Sequence, residues 1–404
     1  MIDISGSKKF FLDQHGCAKN QVDGELMIFR LQNMGYSQTF DADEADLIVV
    51  NSCGFIESAK KESLEAVCSA KKSYPNAKIL LAGCLAERYA SVFKTSLPEA
   101  DAVFGNGDIS RLDEIVKAIE RNERPVAVYR QEGVCCGERR TLLGFRGSAF
   151  VKITEGCSNH CSFCAIPIMR GSHTSQPIEK LVQEAHNLAK KGTKELILIA
   201  QDLTYYGLDI YKKRALADLL KELVKVDGIE WIRLHYAFPT GFPEDVLEVI
   251  KTEPKVCNYI DIPLQHIDTE ILQAMKRGTT YEKTNALLEK FRNNVPNMAI
   301  RTTLIVGFPG ETEEKFEALK QWVREQRFDR LGCFTYSHEE NTTAFELEDS
   351  IPQEVKEARV SEIMEIQSQI SWEKNQEKIG KVFRCLFDRK EGNYFVGRTE
   401  YDSP

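Results

Sequence analysis

Residues 155–164 read EGCSNHCSFC. Cys157, Cys161 and Cys164 follow a C-x3-C-x2-C spacing, and the strand-like run AFVKIT (149–154) leads directly into them. The loop offers three thiols where clusters of this kind mostly take four protein ligands. A structural zinc site closes with a fourth ligand, often from a second C-x2-C or an H-x3–5-H pair. Neither pair is in the sequence, although His160 and His173 keep a Cys3His set open. Ferredoxins use C-x2-C-x2-C-x3-C-P runs in small folds, a different spacing and a different size. The better reading is a thiolate-held iron–sulfur cube with one iron left open, because an open position is what a catalytic metal centre needs.

Outward from this loop the chain alternates short apolar runs with amphipathic helical patterns. Downstream, strands are expected at 149–154, 195–202, 231–238, 259–265, 299–308 and 330–337, with helical stretches such as IEKLVQEAHNLAKKG between them. Six β/α units in a row predict an incomplete β/α barrel. A long polar helix is expected over 352–379, then two short strands around a KEGN turn. Upstream, strands at 9–14, 46–51, 78–83 and 101–106 alternate with helices at 20–34, 57–73, 85–94 and 110–122, which predicts a separate parallel sheet covered by helices. The stretch 128–148, rich in Gly and Arg, reads as a linker.

The upstream strands explain a second set of cysteines. Cys17, Cys53 and Cys84 each fall just past a strand, in FFLDQHGC, LIVVNSCG and ILLAGC. Strands of a parallel sheet point one way, so the three gather at its carboxyl edge, where open α/β sheets bind ligands. Gly16, Gly54 and Gly83 beside them suit tight turns around a bulky inorganic core. A lone cysteine is more often a small buried residue; three at equivalent positions point to a shared cluster. The adjacent Cys135 and Cys136 have no positioned partner and read as ordinary residues, Cys68 lies mid-helix, and Cys257, Cys333 and Cys385 read as core or near-core.

Bulk properties limit the function classes. The 404 residues carry no apolar run long enough to span a membrane and no leader-like start, so the expectation is a cytoplasmic protein without membrane attachment. Twelve cysteines in such a compartment suit metal binding or catalysis more than disulfides. The net charge of −8 does not favour a polyanionic partner and fits a basic protein better.

A C-x3-C-x2-C loop after the first strand of a β/α barrel resembles the radical S-adenosylmethionine (SAM) superfamily. That resemblance implies that SAM takes the open iron through its methionine amino and carboxylate groups, and that one-electron reduction yields methionine and a 5′-deoxyadenosyl radical. The added N-terminal domain with three strand-end cysteines resembles the radical SAM methylthiotransferases, which carry two 4Fe–4S clusters. The match extends over nearly the whole chain. HGCAKNQVDGE (15–25), NSCGFIESAKKESLEA (51–66), AIPIMRG (165–171), IDIPLQH (260–266) and IVGFPGETEE (305–314) resemble the branch that modifies an aspartate of small-subunit ribosomal protein S-twelve. The tRNA-modifying branch, the alternative, tends toward GCQMN where this chain has GCAKN.

The resemblance implies iron ligation by Cys17, Cys53, Cys84, Cys157, Cys161 and Cys164, hydrogen abstraction from the aspartate β-carbon, and a second SAM as methyl donor. It also implies an external electron donor and leaves the sulfur source unnamed. Gln201, Gln265 and Arg301, taken as strand-end polar groups, and Gly307, with Gly310 in the same turn, are the candidates for SAM contact. Glu155 beside Cys157 is either a site group or a surface carboxylate. The expected bounds are 1–130 for the N-terminal domain, 131–147 for the linker, 148–375 for the barrel and 376–404 for an incomplete TRAM-like segment. A two-cluster electron-transfer protein, which would not cleave SAM, and a zinc-stabilised binding module are the readings from other classes.

Overall fold

A computed structural model describes residues 8–129, 138–145 and 147–401, so Cys135, Cys136 and the linker residues 131–137 and 146 lie outside the described residues. The chain forms two compact units. The first comprises residues up to Gly144 together with Glu155–Ser158 and Ala165–Thr174; the second comprises Phe145–Thr154, Asn159–Cys164 and everything from Ser175 onward.

The first unit is built on six strands: β1 (Lys9–Gln14), β2 (Ser37–Gln38), β3 (Leu47–Ser52), β4 (Lys78–Gly83), β5 (Ala102–Phe104) and β6 (Val126–Ala127). They pair in the order β2-β1-β3-β4-β5-β6, and every pair is parallel. Helices α1 (Ala18–Asn33), α2 (Glu57–Ser73), α3 (Cys84–Ser96) and α4 (Leu112–Glu120) connect them. Alternation along β3 serves two cores. Leu47 and Val49 join Leu26, Met27, Leu80 and Ile115 on one face, while Ile48 and Val50 join Val67, Ile79, Leu81 and Phe93 on the other. Burial on both faces is why LIVV reads as an unbroken apolar run rather than an alternating one. The two-residue edge strands β2 and β6 were not expected, because two residues carry no periodicity.

The second unit holds β7 (Ser148–Lys152) and, after the short β8 (Thr154–Glu155) and β9 (Thr174–Ser175), strands β10 (Glu195–Ile199), β11 (Trp231–His235), β12 (Tyr259–Asp261), β13 (Ala299–Val306) and β14 (Arg330–Thr335). They form two parallel three-stranded segments, β11-β10-β7 and β12-β13-β14, linked by a single Ile232–Val256 bridge beside β12. This is the six-stranded, incomplete barrel that the sequence predicts. Between the strands run α6 (Ile178–Lys190), α7 (Leu216–Leu223), α8 (Glu244–Thr252), α9 (Thr269–Ala274), α10 (Tyr281–Asn294) and α11 (Glu313–Gln326); α5 (Ile166–Arg170) belongs to the first unit. The long helix is α12 (Gln353–Gln376), followed by an antiparallel hairpin of β15 (Cys385–Glu391) and β16 (Tyr394–Thr399).

The hairpin corrects one expectation. Cys257 and Cys333 are buried, but Cys385 is exposed. It opens a two-stranded ribbon, and no third strand covers its outward positions among the described residues. The hairpin is held to the barrel by buried charge instead. Arg398 pairs with Asp388 and Glu195, each at 2.7 Å, and Glu195 also takes Arg233 at 2.7 Å. Removing one partner of such a network strands a buried charge. Arg398→Ala is therefore expected to destabilise the second unit by roughly 3–5 kcal/mol. Denaturant unfolding followed by tryptophan fluorescence reads this directly, because all three tryptophans, Trp231, Trp322 and Trp372, lie in that unit.

Candidate active site

The sheet order makes β1, β3 and β4 direct neighbours, and the order reverses between β1 and β3. Ligands of open α/β sheets bind at such a reversal, outside the carboxyl ends of the strands. Cys17 lies there as the N-cap of α1, Cys53 follows the last residue of β3, and Cys84 opens α3 immediately after β4. Burial raises the pKa of Cys53 and of Cys84, and charge on a neighbouring thiol adds to it, Cys17 acting on Cys53 and both acting on Cys84.

Two glycines permit this approach. Gly16 has φ +85°, and a side chain there would come within 3.1 Å of the Cys53 Cβ. A Cβ on Gly54 would lie 2.9 Å from the Cys84 carbonyl oxygen, a backbone atom with no room to yield.

Around the thiols stands a buried polar cradle. Asn106 donates to the Cys84 sulfur at 3.2 Å, and the Cys84 thiol donates to Asn20 Oδ1 at 3.3 Å. Asn20 donates to the Ser52 carbonyl at 2.7 Å, and Asn51 donates to the Asn20 carbonyl at 2.7 Å and to Gln14 at 2.9 Å. Arg170, at the end of α5, donates to Glu155 and to Asp23, each at 2.9 Å, and to Asn20 Oδ1. Burial pushes the Cys84 thiol up to about 12, with Arg170 pulling the other way. Cys17 is exposed to solvent but closely ringed by protein. Desolvation raises its pKa, yet Lys19, Arg170 and the amides of Asn20 and Lys19 outweigh it and leave the thiol below its ordinary range.

The C-x3-C-x2-C loop contributes to both units. In the first unit the Cys157 amide donates to the Gly171 carbonyl at 3.1 Å. Glu155 is buried and bound to Arg170, so it is no surface carboxylate. In the second unit the Cys164 amide donates to the Cys161 carbonyl at 3.1 Å, and Arg277 donates to the Cys161 sulfur at 3.3 Å. Asn159 is tied to Asp202 just past β10, and Ser162 is tied to the Ala274 carbonyl. His160 is exposed, with φ +51°.

The expected SAM contacts fall in different settings. Gln201 follows β10 by two residues. Gln265 follows β12 with φ +73°, and its buried Oε1 has no hydrogen-bond partner. Tyr236, just past β11, has φ +70°. Strained backbone of this kind concentrates at functional sites. Arg301 is not at a strand end. It is the third residue of the eight-residue β13, paired with Asp261, because the apolar pattern of β13 runs on to Val306. Gly307 has φ +75° just past β13, and its amide already donates to Glu311 at 2.9 Å.

The sequence reading missed Asn51, Asn106, Arg170 and Arg277, along with the roles of Asn20 and Asp23. Buried Asn20 and Asp23, three and six residues after Cys17 on α1, leave a local signal: polar residues on the inward face of a helix.

The donor set suits iron–sulfur cubes. No disulfide joins the described cysteines. Among the described residues no three His, Cys, Asp or Glu side chains converge on one point, as a mononuclear ion requires. Thiols spaced around a cube bind separate irons and need no common point.

Residues 151–323 match the Radical SAM superfamily, and residues 9–105 match the uncharacterized protein family UPF0004. The chain is 58% identical to the ribosomal protein uS12 methylthiotransferase RimO of Christiangramia forsetii over 96% of its own length and 84% of that protein's. The chain belongs to the RimO family. The Flavobacterium johnsoniae RimO is also 58% identical, over 96% of this chain and 88% of that one. The solved radical SAM methyltransferase TsrM of Kitasatospora setae has the same fold at a TM-score of 0.58 and 15% identity, covering 81% of this chain and 73% of its own. For this RimO-family chain, Gly54→Ala is expected to lower iron in anaerobically reconstituted protein from about eight to about four per chain, because only the loops that carry Cys17, Cys53 and Cys84 are disturbed. Iron and sulfide analysis checks it.

Proposed function

We propose that the chain is a radical SAM methylthiotransferase whose substrate is ribosomal protein uS12 and whose target is the β-carbon of an aspartate. The observation that carries the substrate is the 58% identity to RimO across nearly the whole chain. The geometry is consistent with the chemistry, since each cysteine set follows the carboxyl end of parallel strands, where α/β folds place their reactive groups.

In this reading Cys17, Cys53 and Cys84 hold one 4Fe–4S cluster, and Cys157, Cys161 and Cys164 hold the other. Bound there with SAM, the clusters would supply one-electron cleavage of SAM and would hold or deliver the sulfur for transfer, chemistry that side chains alone do not provide. The protein's part is to hold and orient. Arg277 donates an N–H to the Cys161 sulfur and so fixes its direction in the loop. Asn159 and Ser162 fix the loop through Asp202 and Ala274. Gln201, Gln265, Arg301 and Gly307 are assigned to SAM contact; the buried, unpaired Oε1 of Gln265 is the best supported, because such an oxygen costs free energy until a donor reaches it.

No described helix is long and apolar enough to cross a membrane. A cytoplasmic setting and an external electron donor complete the proposal. The tRNA-modifying alternative is disfavoured by GCAKN at 16–20.

The test is the mass of uS12 from the source cells with and without this gene. Loss of one methylthio group on deletion supports the assignment, and an unchanged mass moves tRNA to the front. Separately, replacing Cys157, Cys161 and Cys164 together by alanine is expected to remove about half of roughly eight irons and all SAM cleavage.

A further inference from the structure

We propose that Arg170 is a positioning residue for the N-terminal cluster, and that the Arg170–Asp23–Glu155 group sets that cluster's reduction potential. The inference rests on the reading that Cys17, Cys53 and Cys84 hold the cluster.

All three charged side chains are nearly solvent-free: residue exposure is 4% for Arg170, 1% for Asp23 and 5% for Glu155. The guanidinium spends one arm on Glu155 and the other on Asp23 and Asn20. Asn20 Oδ1 also accepts the Cys84 thiol, so one amide oxygen separates Arg170 from a proposed iron ligand. Glu155 and Arg170 bracket the C-x3-C-x2-C loop in sequence, so their bond also closes the base of that loop.

Stability does not explain this group. A buried ion network is often no more stable than well-packed apolar residues of the same volume. Its effect on a neighbouring redox centre is direct, because cluster potentials follow net charge, hydrogen bonding and solvent exposure. Reduction adds one electron to the cube. A nearby cation favours the more negative reduced state and a nearby carboxylate disfavours it. Two carboxylates and one guanidinium leave this group one net negative charge, so each member moves the potential in a known direction.

The test uses the full-length chain carrying Cys157→Ala, Cys161→Ala and Cys164→Ala, reconstituted anaerobically with iron and sulfide so that only the N-terminal cluster is present. The cluster is titrated with dithionite in the presence of mediators and followed by absorbance and electron paramagnetic resonance. Arg170→Gln is expected to lower the reduced-to-oxidised ratio at fixed potential by at least tenfold, about 59 mV for one electron. Asp23→Asn is expected to raise it, and the double variant to return near the parent. Opposite signs are not produced by general loosening of the fold. Where Arg170→Gln does not retain iron, Asp23→Asn alone decides, since its amide still accepts from the guanidinium. A shift below threefold for Asp23→Asn, or shifts of the same sign, overturns the proposal. A parent that binds no iron overturns the ligand assignment beneath it, which is a distinguishable failure.

Discussion

Parallel pairing of β1, β3 and β4 is the constraint on which the candidate site depends. The ladder sets Gln14 beside Asn51 and Ser52 beside Gly83, so three chains leave the sheet side by side and in one direction. A slip of one residue would exchange the faces of β3, driving Leu47 and Val49 into the core now filled by Ile48 and Val50. Two differently shaped cores thus hold the register, and the register holds Cys17, Cys53 and Cys84 together. Packing distant from the thiols fixes their spacing.

Once three loops converge, their backbone amides and carbonyls need partners that the sheet no longer supplies. Asn20 and Asn51 meet that need. Each bonds across to a neighbouring segment, Asn20 to Ser52 and Asn51 to Asn20 itself. Such buried amides are costly unless satisfied, and in return they admit few alternative arrangements. The same network then reaches Cys84 and Arg170 without a change of material, so the scaffold of the loops and the surroundings of the sulfurs are one set of hydrogen bonds.

Much of this was legible in the sequence, for a physical reason. Strands buried on both faces, amphipathic helices and strand-end cysteines all leave local patterns. The expected β1, α2 and β4 match the observed residues, and the barrel strands start within one residue of expectation. What escaped was nonlocal. Arg170 meets Asp23 across 147 residues of sequence, and Asn106 meets Cys84 across 22; no periodicity encodes such pairs. Arg301 was misplaced because its strand continues past the end of its neighbour β12, a matter of relative strand length that one segment cannot reveal. Cys385, expected near the core, is exposed because its ribbon has no third strand among the described residues.

The second unit divides its charged groups by strand end, and the division accounts for their different settings. At the amino ends, Ser148 and Glu195 join Arg233 from the middle of β11, and Arg398 and Asp388 of the hairpin, in an interlinked buried network. At the carboxyl ends Gln265 Oε1 and Arg277 Nε are buried without partners, as Arg398 Nη1 is at the amino ends, and Tyr236 and Gln265 hold left-handed backbone. An unpaired buried oxygen and a strained dihedral each cost free energy. A fold tolerates that cost where a ligand's own donors and acceptors are to complete the bonding. The amino end can then be read as the rigid frame and the carboxyl end as the part built to receive something else, which is the arrangement β/α barrels use to separate stability from catalysis.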